Sequence, residues 1–325
     1  MTTPLSRAFA EHGRFLFALL YRMTGSASEA EDLVQQTFER ALVAEPDVER
    51  PLRPWLVRVG TNLARDALRA RRKRGYVGPW LPEPIPSDEA SLVGFEVPST
   101  EGRYELLESV SFGFLLALEA LTPNQRAVLL LRDVLEYDVA ESASALGLGE
   151  ANVKVLHHRA RKAMAAYEQR RARPTSEAAR AVLEAFLTAL AAGDGPTLER
   201  LVREDVRMLN DGGGVVSAAR VPILGRDKAL LFLRKLAALR GPPEFAEIRA
   251  INGGPALVAR FSCRTPIEPR DAVMTLELDH EGRVAACHWV VHPAKLRAVG
   301  LGDAQGFGVA NGLAAAAAEL SVTRK

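Results

Sequence analysis

Five prolines within residues 76–102 interrupt the first half of the chain, so no single helical domain can extend through it. Proline cannot continue a helix, and the same segment contains several glycines, so we predict an extended linker there. Apolar residues recur every three or four positions in residues 5–75 and in residues 103–172, a spacing that is typical of helices. The first half is therefore predicted to form two all-α domains.

The second half has a different pattern, in which short apolar runs are separated by Gly, Pro and Asp. Such runs are typical of strands, and helices are predicted only over Ser176–Ala192 and Lys228–Leu239. Helices combined with several strands indicate an α+β domain over residues 175–298, followed by a loosely attached tail over residues 299–325. The predicted strands are Val206–Leu209, Val215–Val221, Ala256–Ser262, Val273–Leu278 and Val284–Val291.

Composition argues against a membrane protein. The chain is 48% apolar and 25% charged, and no stretch approaches the roughly 20 apolar residues of a membrane-spanning helix. Charged residues from Arg7 onward interrupt the N-terminal segment, so a signal-peptide core is not indicated. We expect a cytoplasmic protein with no membrane partner.

Cysteine and histidine offer no pattern for metal binding. Cys263 and Cys287 are too few for a disulfide framework or a zinc site, and we expect both to be buried. His280, His288 and His292 lie near one another without the spacing of metal ligands. We predict no metal and no cofactor.

A helix-turn-helix is predicted near the end of the second helical block. Its first helix is Asp138–Leu146, its turn is at Gly147, and its second helix begins at Glu150. Val153 and Leu156 would face the core, which leaves the other face to enter a DNA major groove. An ordinary helical hairpin is the alternative, but the many basic residues that follow favour DNA. The predicted DNA-contacting residues are Ala151, Asn152, Lys154, Val155, His158 and Arg159.

A second basic pattern lies just before the linker, in the helix predicted over residues 55–74. Apolar residues at helical spacing are expected to face the core; they are Trp55, Leu56, Val59 and Leu63. Polar residues at the same steps would form a ridge along a nucleic-acid backbone; they are Arg58, Asn62, Arg65, Arg69 and Arg72. Because the net charge is only +2, we expect two local phosphate-binding patches rather than a generally basic surface.

These blocks resemble extracytoplasmic-function (ECF) sigma factors, a class of the sigma-70 family. Residues 28–38, Ser-Glu-Ala-Glu-Asp-Leu-Val-Gln-Gln-Thr-Phe, are similar to the core of the family's region 2, whose helix binds RNA polymerase. The resemblance implies that Asp32, Gln35 and Gln36 bind core RNA polymerase. Phe38 also matches a polymerase-contacting position, but we expect it to lie in the core.

The resemblance also implies two promoter elements. The segment 55–74 is similar to the part of region 2 that reads the minus-ten element, with Asn62 at a base-capturing position. We expect phosphate contacts from three arginines of the same helix, Arg65, Arg69 and Arg72. Leu121–Lys162 is similar to region 4, which reads the minus-thirty-five element. The chain is thus predicted to be a sigma factor that binds core polymerase and promoter DNA and directs transcription initiation.

The linker and the second half narrow the resemblance to one group. Trp80-Leu81-Pro82-Glu83-Pro84 is identical to a linker motif of the sigma factors that carry a C-terminal SnoaL-like domain. Asp211-Gly212-Gly213-Gly214 matches a glycine motif of that domain, and His292–Leu296 is similar to its Asn-Pro-Asp-Lys-Leu ending. The resemblance implies a cone-shaped α+β barrel at the C-terminus.

We hypothesise that this domain regulates the sigma factor in cis by binding the linker. Trp80 and Leu81 are large apolar side chains in a proline-stiffened segment, and burying them is favourable by roughly 2–5 kcal/mol before ordering costs. The alternative is that Trp80 packs on one of the helical domains. The residues expected to form the regulatory contact are Trp80, Leu81, Pro82, Glu83, Pro84, Asp211, Gly212, Gly213, Gly214, Pro293, Lys295 and Leu296.

Another function for the C-terminal domain stays open. SnoaL-like folds include cyclases and isomerases, so this domain could instead be a small-molecule-binding or enzymatic module fused to a DNA-binding regulator. The polar candidates for such chemistry are Asp211, Arg220, Arg260 and His288. The order of these four residues along the chain does not indicate any particular reaction, so we do not expect an enzyme. A conventional helix-turn-helix repressor would leave the polymerase-binding pattern of residues 28–38 unexplained.

Overall fold

The computed structural model describes residues 4–44, 51–87, 109–170, 172 and 174–300. These residues form two compact units. The first contains the described residues up to Gly75 and from Ser87 to Gln169, and the second contains Tyr76–Pro86 and the described residues from Arg170 onward. Residues 88–108 and the predicted tail from residue 301 lie outside the described residues. No described helix is both long enough and apolar enough to cross a membrane.

The first unit begins with three helices that pack on one another: α1 (Pro4–Thr24), α2 (Ala27–Ala44) and α3 (Leu52–Arg74). α1 ends at Gly25, whose φ of 68° suits a residue without a side chain. Ser26 then caps α2, because its Oγ accepts a hydrogen bond of 3.1 Å from the main-chain nitrogen of Glu29.

The second part of the unit contains α4 (Phe112–Leu118), α5 (Pro123–Leu129), α6 (Val139–Leu146) and α7 (Glu150–Arg170), with a π-helical turn over Leu130–Val134. The capping boxes Thr122–Gln125 and Asp138–Glu141 begin α5 and α6. Gly147 ends α6 in the left-handed conformation, with φ of 63°. α6 and α7 are the predicted helix-turn-helix, and both α5 and α6 pack against α3.

The second unit is an α+β domain with a six-stranded sheet of order β2-β1-β6-β5-β4-β3. β1 and β6 pair parallel, and the other neighbours pair antiparallel. The helices are α8 (Ser176–Ala192), α9 (Gly195–Leu201) and α10 (Arg226–Arg240), and a 3₁₀ helix spans Pro293–Val299. The strands are β1 (Val202–Asp211), β2 (Ile223–Leu224), β3 (Phe245–Ile251), β4 (Gly254–Arg260), β5 (Asp271–Leu278) and β6 (Val284–Val290).

Both faces of this sheet are buried. On the helix-facing side, Met208, Met274 and Cys287 join an apolar cluster with residues of α8 and α10. Alternation turns neighbouring side chains such as Val273 and Val290 to the opposite side, and these are also fully buried. The linker segment Tyr76–Pro86 and the 3₁₀ helix lie on this second side, where both bind the end of β1.

One strand prediction is wrong, and one strand of the structure was not predicted. Val215–Val221 is a loop, because the carbonyl of Gly212 accepts from the main-chain nitrogens of Val215 and Val216 and turns the chain back. β1 pairs instead with the two-residue β2. The strand Phe245–Ile251 was not predicted; it lies at the sheet edge and alternates apolar residues with charged ones.

Two burial predictions also need correction. Cys263 is exposed, and of the two cysteines Cys287 is the buried one, because residue 263 follows the end of β4 in a loop. In α3, Trp55 and Val59 are half-buried. The buried side of α3 is rotated away from Trp55 and Val59 and includes the residues that directly follow each of them. The buried residues are Leu56, Val57, Gly60, Thr61, Leu63, Ala64 and Leu68.

Candidate DNA, polymerase and linker sites

The predicted phosphate ridge lies along α3 with unequal exposure. Arg58, Arg69 and Arg72 are exposed, whereas Asn62 and Arg65 are half-buried. The helix places all five on adjoining turns, as their three- and four-residue spacing predicts.

Three arginines of this ridge have hydrogen-bond partners within the first unit. Nη1 of Arg65 donates to Oδ1 of Asn62 over 2.8 Å and to the carbonyl of Leu146 over 3.2 Å. Burial, followed by the charge of Arg69, lowers the pKa of Arg65. Arg72 donates to the carbonyl of Leu121, and Arg69 pairs with Asp66 over 2.7 Å.

An ionic cluster, in which Arg126 is buried and Arg71 and Glu119 are half-buried, joins α3 to α4 and α5. Glu119 accepts from Arg71 of α3 over 2.7 Å and from Arg126 of α5 over 2.9 Å. Arg126 is buried and also donates to the carbonyls of Met23 and Leu118. Burial is the largest cause that lowers the pKa of Arg126, and Glu119 opposes it. No local motif in the sequence marks this cluster, because Arg71 is far from Glu119 and Arg126 along the chain.

The second helix of the helix-turn-helix presents the predicted DNA-contacting face to solvent. Val153 is fully buried and Leu156 is half-buried, and Ala143 of α6 is buried as well. All six predicted contact residues are exposed: Ala151, Asn152, Lys154, Val155, His158 and Arg159. This is the geometry that insertion into a major groove requires.

A basic cavity of about 460 Å³ lies beside this helix. On one wall, Nε2 of His157 lies 2.6 Å from Oδ1 of Asp133, and Arg161 lies 3.8 Å from the other carboxylate oxygen. Cationic side chains of this kind are suited to phosphate. The lining residues are Arg132, Val139, Val153, Lys154, His157, His158, Arg161 and Lys162.

α2 places the predicted polymerase-binding residues on its exposed side. Asp32, Gln35 and Gln36 are exposed, and Gln35 donates to Glu39 over 2.9 Å. Phe38 is buried against the ring of Phe9, with centroids 4.9 Å apart. Phe38 therefore lies in the core, as expected.

The linker segment is held at a buried carboxylate. Asp211, at the end of β1, is fully buried. Its Oδ1 accepts from the hydroxyl of Tyr76 over 2.6 Å, and its Oδ2 accepts from the main-chain nitrogen of Leu81 over 2.8 Å. Nζ of Lys295, in the 3₁₀ helix, lies 2.7 Å from the same Oδ2. Asp211 and Lys295 were both predicted to take part in this contact, but the ion pair between them was not predicted.

Lys295 also binds the linker directly. Its ammonium donates to the carbonyl of Leu81 and lies 4.4 Å from the ring centroid of Trp80 and 4.9 Å from that of Tyr76. A cation over two aromatic faces is attracted by both rings. One ammonium group therefore joins the sheet, the 3₁₀ helix and the linker.

The glycine motif allows close approach of these segments. Gly213 has φ of 58°, and a Cβ there would lie 2.1 Å from Cδ2 of His292 and 2.9 Å from the hydroxyl of Tyr76. A Cβ on Gly212 would lie 2.7 Å from the carbonyl of Val216. Side chains at these positions are therefore excluded by the packing.

The remaining residues of the proposed regulatory contact lie in the same unit. Leu81 and Leu296 are buried, Trp80 is half-buried, and a Cβ on Gly214 would lie 3.0 Å from Cβ of Val77. Pro293 begins the 3₁₀ helix that carries Lys295. The other linker residues, Pro82, Glu83 and Pro84, are all buried.

The four candidates for acid-base chemistry do not form one group in this unit. Asp211 binds the linker, Arg260 pairs with Asp271 over 2.8 Å, and Arg220 is exposed. Buried His288 has Nε2 3.7 Å from Oε1 of Glu277. Burial is the main cause that lowers the pKa of His288.

Comparison with known proteins identifies both helical parts of the first unit. Residues 8–74 match the model of sigma-70 region 2, and residues 112–164 match that of sigma-70 region 4. The chain is 30% identical over 296 residues to the ECF RNA polymerase sigma factor SigJ of Mycobacterium tuberculosis, covering 86% of this chain and 89% of SigJ. It is 37% identical over 220 residues to SigG of the same species, covering 58% of this chain and 55% of SigG.

The fold comparison extends this similarity across both units. The crystal structure of SigJ from Mycobacterium tuberculosis superposes with a TM-score of 0.71 and 27% identity, covering 90% of this chain and 98% of that one. The similarity therefore includes the α+β domain as well as the two sigma-70 regions. With its paired regions 2 and 4 and this full-length likeness, the chain belongs to the ECF RNA polymerase sigma factors of the sigma-70 family.

Proposed function

We propose that this sigma factor recognises two promoter elements and is regulated in cis by its C-terminal α+β domain. In this proposal Asn62 and the arginines of α3 bind the minus-ten element and its phosphates, and the exposed face of α7 reads the minus-thirty-five element. Asp32, Gln35 and Gln36 bind core RNA polymerase. We place this activity in the cytoplasm.

The burial of Asp211 against the linker carries the regulatory part of the proposal. The chain between region 2 and region 4 must pass through Tyr76–Pro86, and this segment is bound to the C-terminal domain by Asp211, Lys295 and Leu81. A segment bound in this way leaves less free chain between the two DNA-binding regions. When one DNA-binding region has bound its promoter element, the length of free chain sets the effective concentration of the other region at its own element. Binding of the linker to the C-terminal domain therefore changes that concentration.

Two truncations and one substitution test the proposal in a transcription assay with core polymerase. Removing the residues after Gly300 should preserve or raise transcription, because the linker contacts stay intact. Removing everything after Pro174 should lower it, because Asp211 and Lys295 are lost. Trp80→Ala should change transcription in the same direction as the larger truncation, since the Lys295 ammonium loses one of its aromatic partners.

The outcomes separate the alternatives at equal protein abundance. If all three variants transcribe like the full-length protein, the C-terminal domain does not act through the linker. A small-molecule-binding or enzymatic role then becomes the better hypothesis. We propose that the domain is not an enzyme, because three of its four polar candidates have separate partners and the fourth, Arg220, is exposed. A pull-down of core polymerase with Asp32→Lys and wild type tests the polymerase contact independently.

A further inference from the structure

Two neighbouring hydrogen-bond donors are buried without a partner on the helix-facing side of the sheet. Nδ2 of Asn210 in β1 and Nε1 of Trp289 in β6 are inaccessible to solvent, and neither has an oxygen or nitrogen partner with hydrogen-bond geometry among the described residues. Their residues are 5% and 7% exposed. Because an unpaired buried donor is unfavourable, two such groups side by side call for an explanation, and a bound molecule that accepts from both of them is one.

The strand register brings the two donors together. Asn210 pairs directly with Trp289 in the parallel ladder of β1 and β6. Both side chains are on the face that carries Met208 and Cys287, since residues two apart on a strand share a face. They therefore lie side by side at the carboxyl ends of two parallel strands.

The surroundings of the pair are apolar. Trp289 belongs to the buried cluster that contains Met208, Met274 and Phe186, and Val216 of the loop after β1 packs against the same cluster. The residues that follow Asn210 and precede Trp289 are Asp211 and His288, and their side chains point to the opposite face, because successive side chains alternate. The two donors are thus not matched to an ionic partner in either strand.

Several other buried polar side chains of this unit are paired: Asp211 binds Tyr76 and Lys295, Asn252 binds Ile85, and Asp279 binds Arg203 and Arg283. Nε of Arg226 is a further buried donor without a partner, but the other two nitrogens of that guanidinium group contact Glu199 and Glu204. Trp289 has the thiol of Cys287 as a neighbour, but sulfur is a weak acceptor. Burial raises the pKa of Cys287 to about 12, and Trp289 opposes this only in part, so the thiol stays neutral.

We propose that Asn210 and Trp289 form a binding site for a small, neutral, mostly apolar molecule with a carbonyl or ether oxygen. The oxygen accepts from Nδ2 of Asn210 and Nε1 of Trp289, and the apolar body of the ligand contacts the cluster around Met274. The loop that begins at Gly212 turns back over this end of the sheet and places Val216 against the cluster, so it covers the site. This site is on the opposite face of the sheet from the linker contact at Asp211.

The indole resonances of the full-length chain test the site directly. A ¹H–¹⁵N spectrum resolves the three tryptophans, and Trp289→Phe assigns the Trp289 signal by its loss. The probes are cyclohexanone, γ-butyrolactone and tetrahydropyran, with methylenecyclohexane as the matched hydrocarbon. At least one oxygenated probe should shift the Trp289 signal saturably, with binding at least five-fold weaker for the hydrocarbon. The indole signals of Trp55 and Trp80 should not shift when the probe is added.

Asn210→Leu is the informative variant, because it removes the donor at nearly constant volume. Its melting temperature without probe should equal or exceed that of wild type, since an unpaired buried donor is removed. Its affinity for the oxygenated probe should fall at least five-fold. Should this variant not fold, Asn210→Ser, whose shorter side chain cannot reach the same position, is titrated in its place and is expected to show the same loss.

Three results would overturn the proposal. The first is the absence of a saturable shift with any oxygenated probe. The second is equal binding of the hydrocarbon, or unchanged affinity in the Asn210 variant, which would remove the hydrogen bonds from recognition. The third is a slowly exchanging water on the Trp289 indole that no probe displaces, which would make the site a buried water position only.

Discussion

Arg65 of α3 donates a hydrogen bond of 3.2 Å to the main-chain carbonyl of Leu146, the last residue of the first helix of the helix-turn-helix. The same Nη1 holds Asn62 at 2.8 Å. Asn62 and Arg65 are the residues that we propose to meet the minus-ten element. Region 4 therefore occupies one donor nitrogen of Arg65, and a phosphate that binds this nitrogen has to displace the carbonyl of Leu146.

The first prediction is that loosening this packing strengthens promoter binding. Glu119 links Arg71 of α3 to Arg126 of α5, and it is distinct from the proposed DNA contacts. Glu119 is 33% exposed although Arg126 is buried, and glutamine can still accept hydrogen bonds from the two arginines, so we expect Glu119→Gln to weaken the packing by about 1 kcal/mol. If the packed form competes with DNA, the variant binds promoter DNA up to about five-fold more tightly.

Fluorescence anisotropy with a promoter duplex measures this change. Glu184→Gln, which removes an exposed pair with Arg180 in the other unit, is the matched control and should bind like wild type. Weaker or unchanged binding by Glu119→Gln, with the protein still folded, would contradict the competition between packing and DNA.

The second prediction concerns the phosphate ridge. Arg69 is exposed, and its 2.7 Å pair with Asp66 is solvent-accessible, so its guanidinium can exchange this partner for a phosphate. Arg69→Ala should lower the magnitude of the salt slope of promoter affinity by about 0.9 and weaken binding alike for different sequences. Lys235→Ala removes the same charge from an exposed position of α10 and should leave the slope unchanged. A slope that is equal in both variants would exclude Arg69 from the phosphate contacts.

The third prediction concerns polymerase docking. Asp32→Lys reverses a charge on the exposed side of α2 and should weaken binding to core polymerase at least ten-fold without loss of helix. Glu31→Lys, about 100° further round the same helix, is the control and should have a smaller effect. Binding by titration and helix content by circular dichroism are the measurements. Equal losses in the two variants would indicate a general charge effect rather than a contact by Asp32.

The local signals in the sequence predicted the helices better than the contacts between them. The capping residues Thr122 and Asp138 fixed two helix starts, because each bonds to the main chain three residues away. The apolar pattern of α7 likewise predicted which side of it is exposed. Glu119 and Arg126 were missed, because their role depends on where α3 packs.

The α+β domain shows the same limit. The pattern over Val215–Val221 is β-branched and apolar, yet the turn at Gly212 directs it into a loop. Strand propensity describes how well a side chain fits a sheet. It does not show whether a neighbouring strand is available for pairing, and Val215–Val221 has none among the described strands. The motif that contains Asp211 indicated a contact with the linker. A similarity of motifs does not show which group binds each carboxylate oxygen of Asp211, so these partners could not be predicted.

The fourth prediction is an acid sensitivity of the C-terminal domain. His288 is 1% exposed, and burial lowers its pKa below the ordinary value of about 6.5. The unfolded chain then takes up a proton at a higher pH than the folded chain, so stability falls as the pH falls below about 6.5. The slope from this group approaches about 1.4 kcal/mol per pH unit until the folded pKa is reached.

Denaturant unfolding between pH 7 and pH 5 tests this slope. His288→Phe cannot titrate and should show a shallower loss of stability over that range, whereas His280→Gln, at an exposed position in a turn, should behave like wild type. A loss of the wild-type slope in His280→Gln, or its persistence in His288→Phe, would assign the acid sensitivity to another group.

The fifth prediction tests the ion pair that holds the linker. Asp211 and Lys295 are 0% and 7% exposed and lie 2.7 Å apart. Lys295→Met leaves a buried carboxylate without its cation and should destabilise the C-terminal unit by about 3–5 kcal/mol. The linker should loosen with it, because the ammonium also binds the Leu81 carbonyl and the Trp80 ring. Trp80 emission should therefore shift to the red.

A double-mutant cycle separates the pair from its parts. Asp211→Asn combined with Lys295→Met removes both charges, so the double variant should be less destabilised than the sum of the two single variants, since no unpaired charge stays buried. Chemical unfolding gives the four stabilities, and transcription with core polymerase gives the functional effect of each variant. Additive stabilities would mean that the two groups do not act as a pair. A loosened linker with normal transcription would instead separate this contact from regulation, because the carboxylate would then stabilise the domain without controlling the sigma factor.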